Sequence, residues 1–234
     1  MQHTTALKRV LRYISGTRTY GITYSSNPQY LALLGYVDAA YVNMDNLKST
    51  SGYVFLVGRG AITWRSKKQT TIALSSTEAE YIALSEAARE ACWLQSLYDE
   101  LGFSLASPIL IRGNNDGSIA LAKNPMFHKR SKHIAIHWHW VRDLVQDGIM
   151  CIESCRDHNQ TVDMLTKALP CPKHKQHTQN GTRIGLRGSV GVRPGKHNTS
   201  TTSARANTNT VLQRALHYIS ALSRHLTTHQ RTVQ

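Results

Sequence analysis

At 234 residues the chain has room for one domain of ordinary size plus appended segments, and its hydrophobic content of 41% sits slightly below that of a fully globular protein. A net charge of +14 favours polyanionic partners, because Lys and Arg release counterions when they bind phosphates. No apolar run approaches the length of a membrane span and no signal-peptide core opens the sequence. Cys92, Cys151, Cys155 and Cys171 are too few and too unevenly placed for a disulfide framework, so the expectation is an intracellular protein without membrane partners, in cytoplasm or nucleus.

In chain order, Leu7, Val10, Leu11 and Ile14 recur at helical spacing across residues 5–15, with Gly16 as a C-cap. Residues 31–37 read as an apolar strand ended by Asp38. Two further strands, 52–57 and 61–64, flank Gly58-Arg59-Gly60, a hairpin signal. A third short run, 70–74, leads into a long Ala- and Leu-rich helix over 77–101. Thr77 at the N-cap and Glu80 three residues on give that helix a capping box. Then follow a strand at 109–111, a short helix at 118–123, a helix over 131–146 ended by Gly148, a strand at 149–153 and a helix from 160 to 169. This order describes an α/β domain with a mixed sheet.

The composition changes at Cys171. From there on the chain has no Asp or Glu and ten of its 28 Lys and Arg, leaving 18 basic and 14 acidic residues before it. Rich in Thr, Ser, Asn, Gly and His, residues 171–210 read as disordered, and 211–226 fit a basic amphipathic helix or unconstrained sequence.

Three carboxylates stand out. Asp38 ends a strand, where α/β sheets commonly build sites, although Asp is also an ordinary turn residue. Glu80 shares a helical stripe with Leu84, Ala87, Ala91 and Leu94, so it tops the face turned to the sheet, whereas Glu78 aligns with Ser85 and Arg89 on the outer face. A capping role and a metal held between helix and sheet explain Glu80 about equally well. Asp163 starts a helix, where the macrodipole alone favours it. Oxygen ligands converging from separate elements suit Mg²⁺, and two such ions can drive hydrolysis of a phosphodiester. His133, His137, Cys151 and Cys155 are zinc-type ligands, but the elements around them leave no compact finger.

Residues 48–94 (KSTSGYVFLVGRGAITWRSKKQTTIALSSTEAEYIALSEAAREACWL), 119–134 (IALAKNPMFHKRSKHI) and 162–170 (VDMLTKALP) together resemble the ribonuclease H domain of copia-type LTR retrotransposon Pol polyproteins. Residues 6–24 resemble the segment joining reverse transcriptase to that domain. The resemblance covers about residues 5–175 and implies a ribonuclease H-like fold: a mixed five-stranded sheet flanked by helices, followed by a disordered basic tail. It divides the chain into a reverse-transcriptase or connection remnant (1–28), a ribonuclease H-like domain (29–170) and the tail (171–234). It implies hydrolysis of RNA in RNA–DNA hybrids with two Mg²⁺ or Mn²⁺ ions, an upstream reverse transcriptase as partner, and a degenerate fragment of a longer polyprotein.

Carried onto this chain, the family's acidic positions fall on Asp38, Glu80, Asn114 and Asp163. A neighbouring family Asp is here Ala40, and a KHID-like stretch reads Lys132-His133-Ile134-Ala135. Asn114 is the main departure: an amide offers an oxygen but no charge to offset the repulsion of two cations. Asp116, two residues on, is a candidate replacement ligand. The expected consequence is impaired cleavage, with a catalytically inactive nucleic-acid-binding domain as the alternative. Lys48, Arg65, Lys67 and Lys68 flank the hairpin and are candidates for hybrid phosphate contacts, recognition resting on shape, phosphates and 2′-hydroxyls. His158, just before Asp163, is a candidate for proton transfer or product release, or a plain loop residue.

Overall fold

The strand signals converge on one mixed sheet. In the computed structural model, which describes residues 2–18, 20–25, 27, 30, 32–41, 47–103, 105, 108–123, 135–156, 159–181 and 184–186, five strands pair in the order β4-β3-β2-β5-β6. They are β2 (Leu34–Ala40), β3 (Thr50–Val57), β4 (Gly60–Lys68), β5 (Ile109–Gly113) and β6 (Met150–Ser154). β2 runs antiparallel to β3 and parallel to β5, β3 is antiparallel to β4, and β5 is parallel to β6. The β3–β4 hairpin turns through Gly58 and Arg59, both at positive φ (60° and 64°), the two-residue turn whose twist matches its strands. This is a ribonuclease H-like fold. The chain divides into two units, residues 1–187 and 188–234, and every described residue lies in the first.

One sheet face is covered by α2 (Ser76–Glu100), supported by α3 (Asp116–Lys123) and α4 (Ala135–Gln146). Ala79, Ala83, Ala87, Ala88 and Ala91 are fully buried, and their small side chains let α2 lie close against the strands. Leu84, Leu94, Phe55, Ile111, Val141 and Ile152 fill the core between them. The opposite face carries a smaller cluster of Val54, Leu56, Ala61 and Val162 under the short helix α5 (Asp163–Thr166). No described helix is long and apolar enough to cross a membrane.

Several expectations need correction. Asp38 does not end its strand: Ala39 and Ala40 continue pairing with Ser51 and Thr50 of β3. Residues 70–74 form no strand, because the chain bends there to enter α2. The α2 cap sits two residues earlier than expected. Ser75 is the N-cap and accepts from the Glu78 N–H, while the Glu78 carboxylate accepts from the Leu74 N–H. Glu78 and Ser85 are buried rather than outward-facing, because α2 is enclosed by more than the sheet. The helix expected over 160–169 shrinks to four residues, since buried Gln160 is tied to β2 and Lys167 is already extended.

The segment from Cys171 is not wholly unstructured. α6 (Cys171–Gly181) packs against α5, and β7 (Ile184–Leu186) pairs with β1 (Tyr20–Ile22) in a two-stranded sheet. Composition alone missed this because His177 and Thr178 are polar yet buried by tertiary packing. The 211–226 segment lies outside the described residues. Helix α1 (Gln2–Gly16) forms as expected, but its apolar stripe stays exposed, Leu7 at 60% and Leu11 at 57%.

Candidate active site

Three elements bring the expected carboxylates to one end of the sheet. Asp38 sits on central strand β2, wholly buried. Its lateral neighbours are Gly52 on β3 and Ser66 on β4, and Ser66 donates to the Leu165 carbonyl at 2.5 Å. Gly52 must lack a side chain, because a Cβ there would lie 2.6 Å from Thr166 Cγ2 and 3.0 Å from Val162 Cγ1. That gap lets α5 settle onto the strands and lay Asp163, 3% exposed, beside Asp38. Glu80 arrives from the second turn of α2, 8% exposed, held by the backbone N–H of Ala39. With Ser75 and Glu78 performing the capping, Glu80 is released from that role.

The electrostatics follow from burial and crowding. Burial, then the nearby Asp38 carboxylate, push the Glu80 carboxyl up to about 8, against the opposing pull of the Ala39 N–H and Lys167. Burial also works to raise Asp163, but hydrogen bonds from Lys167 and Lys173 outweigh it and hold its carboxyl below the ordinary value. Lys167 Nζ bridges Asp38 Oδ1 at 3.1 Å and Asp163 Oδ1 at 2.9 Å, and Lys173 Nζ reaches Asp163 Oδ2 at 3.0 Å. The Thr166 hydroxyl donates to Asp38 Oδ2. Gln160 Nε2 donates to the Val37 carbonyl at 2.6 Å, fixing the loop before α5. Burial tends to lower Lys167, but its bonds to Asp163 and Asp38 prevail and keep it protonated.

Lys167, Lys173, Thr166 and Gln160 were not foreseen as members of this cluster. Thr166 and Lys167 follow Asp163 by three and four residues, a helical spacing that places them on its face, so that signal was present. Lys173 and Gln160 carried none, since their approach is tertiary.

The remaining candidates are placed less centrally. The β2–β5 pairing ends at Tyr36 opposite Arg112, and half-buried Asn114 follows directly after β5 ends at Gly113. Asp116 is exposed in the first turn of α3, and its Oδ1 accepts from the Ser154 hydroxyl at 2.9 Å on β6. Arg65, Lys67 and Lys68 are exposed on edge strand β4, with Lys48 half-buried before β3. Alternation sets Arg65 and Lys67 on one face and Lys68 on the other, so they form an edge rather than one patch. His158 and His133 lie outside the described residues, as does the His137 side chain.

As a donor set, three buried carboxyl groups match the hard oxygen ligands of a divalent cation in kind. In arrangement, the Lys167 ammonium takes the bridging position, and no described cluster of three His, Cys, Asp or Glu forms a ready ligand group. The residues therefore fit a cation only where Lys167 gives way.

No family model matches the chain. Over 169 residues it is 42% identical to the retrovirus-related Pol polyprotein from transposon RE1 of Arabidopsis thaliana, covering 72% of this chain and 12% of that protein. It is 38% identical over 170 residues to the corresponding polyprotein from transposon TNT 1-94 of Nicotiana tabacum, covering 72% of this chain and 13% of that one. The chain thus spans about an eighth of these relatives' length. Among solved structures, LC11-RNase H1 in complex with RNA/DNA hybrid aligns at a TM-score of 0.43 and 14% identity, over 57% of this chain and 92% of that one. Over about 72% of its length the chain is therefore homologous to retrovirus-related Pol polyproteins of copia-type transposons.

Proposed function

We propose that this chain is a ribonuclease H-type endonuclease domain that hydrolyses RNA in RNA–DNA hybrids, with activity impaired by Asn114. The observation that carries this reading is the convergence of Asp38, Glu80 and Asp163, from three separate elements, beside one buried central strand. Asp38, Glu80 and Asp163 would hold Mg²⁺ or Mn²⁺, with Asn114 contributing an uncharged oxygen at the position where a second ion needs a carboxylate. A bound divalent ion supplies Lewis acidity toward a phosphodiester oxygen and makes water more acidic. The chain's own residues supply the rest. Without an ion, Glu80, its carboxyl raised to about 8, holds a proton near neutral pH, which a bound cation would displace. Lys167 and Lys173 set positive charge around Asp163. Within the polyprotein, reverse transcriptase would be the partner that makes the hybrid.

One observation favours a second reading. Lys167 already neutralises Asp38 and Asp163 together, so the cluster is satisfied without metal. A site of that kind would bind hybrid through its basic residues without cutting it.

Cleavage of a labelled RNA–DNA hybrid in Mg²⁺ and in Mn²⁺ separates the two. Under the nuclease reading, wild type cuts slowly, Glu80→Gln abolishes cutting, and Asn114→Asp raises the rate by roughly 10²-fold or more, the scale of losing one electrostatic stabiliser. Wild-type cleavage equal to that of Asn114→Asp would overturn the impairment. No cleavage by any variant, with hybrid still bound, would favour the second reading.

A further inference from the structure

On the same sheet face as Asp38, a cleft of about 410 Å³ opens over β5 and β6. α5 packs against β2, β3 and β4 on this face. Tyr36 precedes Asp38 by two residues and so shares its face. The strand register carries that row sideways from Tyr36 to Arg112 and on to Glu153.

The cleft's chemistry is that of an anion site. Arg112 hydrogen-bonds Tyr36 and pairs with Glu153 at 3.5 Å, so the only carboxylate among the described lining residues is already matched. Arg156 is exposed at the rim and forms no ion pair among the described residues. Asn159 and Thr161 add an amide and a hydroxyl. His177, brought in by α6, is 1% exposed, and its Nε2 finds no hydrogen-bond partner among the described residues. A buried ring nitrogen without a partner is unfavourable unless a ligand or water supplies one.

We propose that this cleft is a phosphate-binding subsite built by Arg112, Arg156 and His177. Guanidinium groups present paired N–H donors that match phosphate oxygens. The phosphate comes either from the backbone of a polynucleotide or from a free nucleotide. The backbone source rests on the hybrid-binding reading above, whereas the phosphate chemistry does not.

The test uses the full chain without divalent ions, so cleavage does not enter. Hybrid binding is followed by anisotropy at several salt concentrations, and inorganic phosphate and adenosine monophosphate by calorimetry. For a backbone subsite, Arg156→Ala weakens hybrid binding roughly 3- to 10-fold and lowers the salt slope by about 1. For a nucleotide subsite, Arg156→Ala abolishes adenosine monophosphate binding and leaves hybrid affinity unchanged. Arg156 is exposed, so this variant folds even where Arg112→Gln, which breaks the pair with Glu153, does not. The subsite is overturned if Arg156→Ala binds all three probes as wild type does, or if wild type binds none. A chain that binds hybrid through the cleft but never cuts it would end the nuclease reading and leave the subsite standing.

Discussion

At the residue scale, Glu80 shows how position decides chemistry. The same Glu would serve equally well as a helix cap or as a site carboxylate until the cap is seen to belong to Ser75 and Glu78. Left buried beside Asp38, Glu80 keeps its proton up to about pH 8 in the folded chain, against 4.5 as its ordinary value. The folded state therefore binds more protons than the unfolded one across that interval. Its stability contribution is present below about pH 4.5 and is lost as pH rises toward 8, by up to about 1.4 kcal/mol per pH unit. Glu80→Gln, which mimics the protonated form, should flatten this decline in urea titrations of metal-free protein. A decline equally steep in the variant would show that Glu80 is not its source. Asn114 carries the opposite lesson: its identity was plain, but its half-buried place just past the end of β5 came only with the fold.

At the element scale, the geometry depends on α5, a helix of four residues that would have little stability alone. It is held by the Gly52 gap, the Ser66 hydroxyl, the Gln160 amide and the contact of Val162 with the strands. Gly52→Ala should push α5 off the sheet, lowering stability by about 1–3 kcal/mol in urea unfolding, the usual range for overpacking. Because Asp163 and Thr166 move with α5, the variant should also lose hybrid cleavage more completely than its stability loss alone explains. An unchanged unfolding midpoint would mean that α5 absorbs the methyl group without shifting.

At the scale of the whole molecule, the polar segment after Pro170 belongs to the described fold. α6 supplies Lys173 to Asp163 and buries His177 and Thr178, and β7 pairs with β1 from near the other end of the described chain. A chain ending at 170 should therefore unfold about 4–8 °C below one ending at 187, corresponding to roughly 2 kcal/mol. The Asp163 carboxyl should rise once Lys173 is gone. Equal midpoints for the two chains would make α6 and β7 passengers on the fold.

The sequence by itself determined the α/β class, the hairpin, the long helix and the identities of Asp38, Glu80 and Asp163. Those features rest on local periodicity, turn chemistry and motif identity, which neighbouring residues carry among themselves. Only the tertiary structure decided that Lys167 bridges two of those carboxylates, that Lys173 and His177 join them from a polar segment, and that a donor-lined cleft adjoins the site. Burial of a polar side chain is set by what packs over it from distant parts of the chain, and composition averaged along a segment contains no record of that contact.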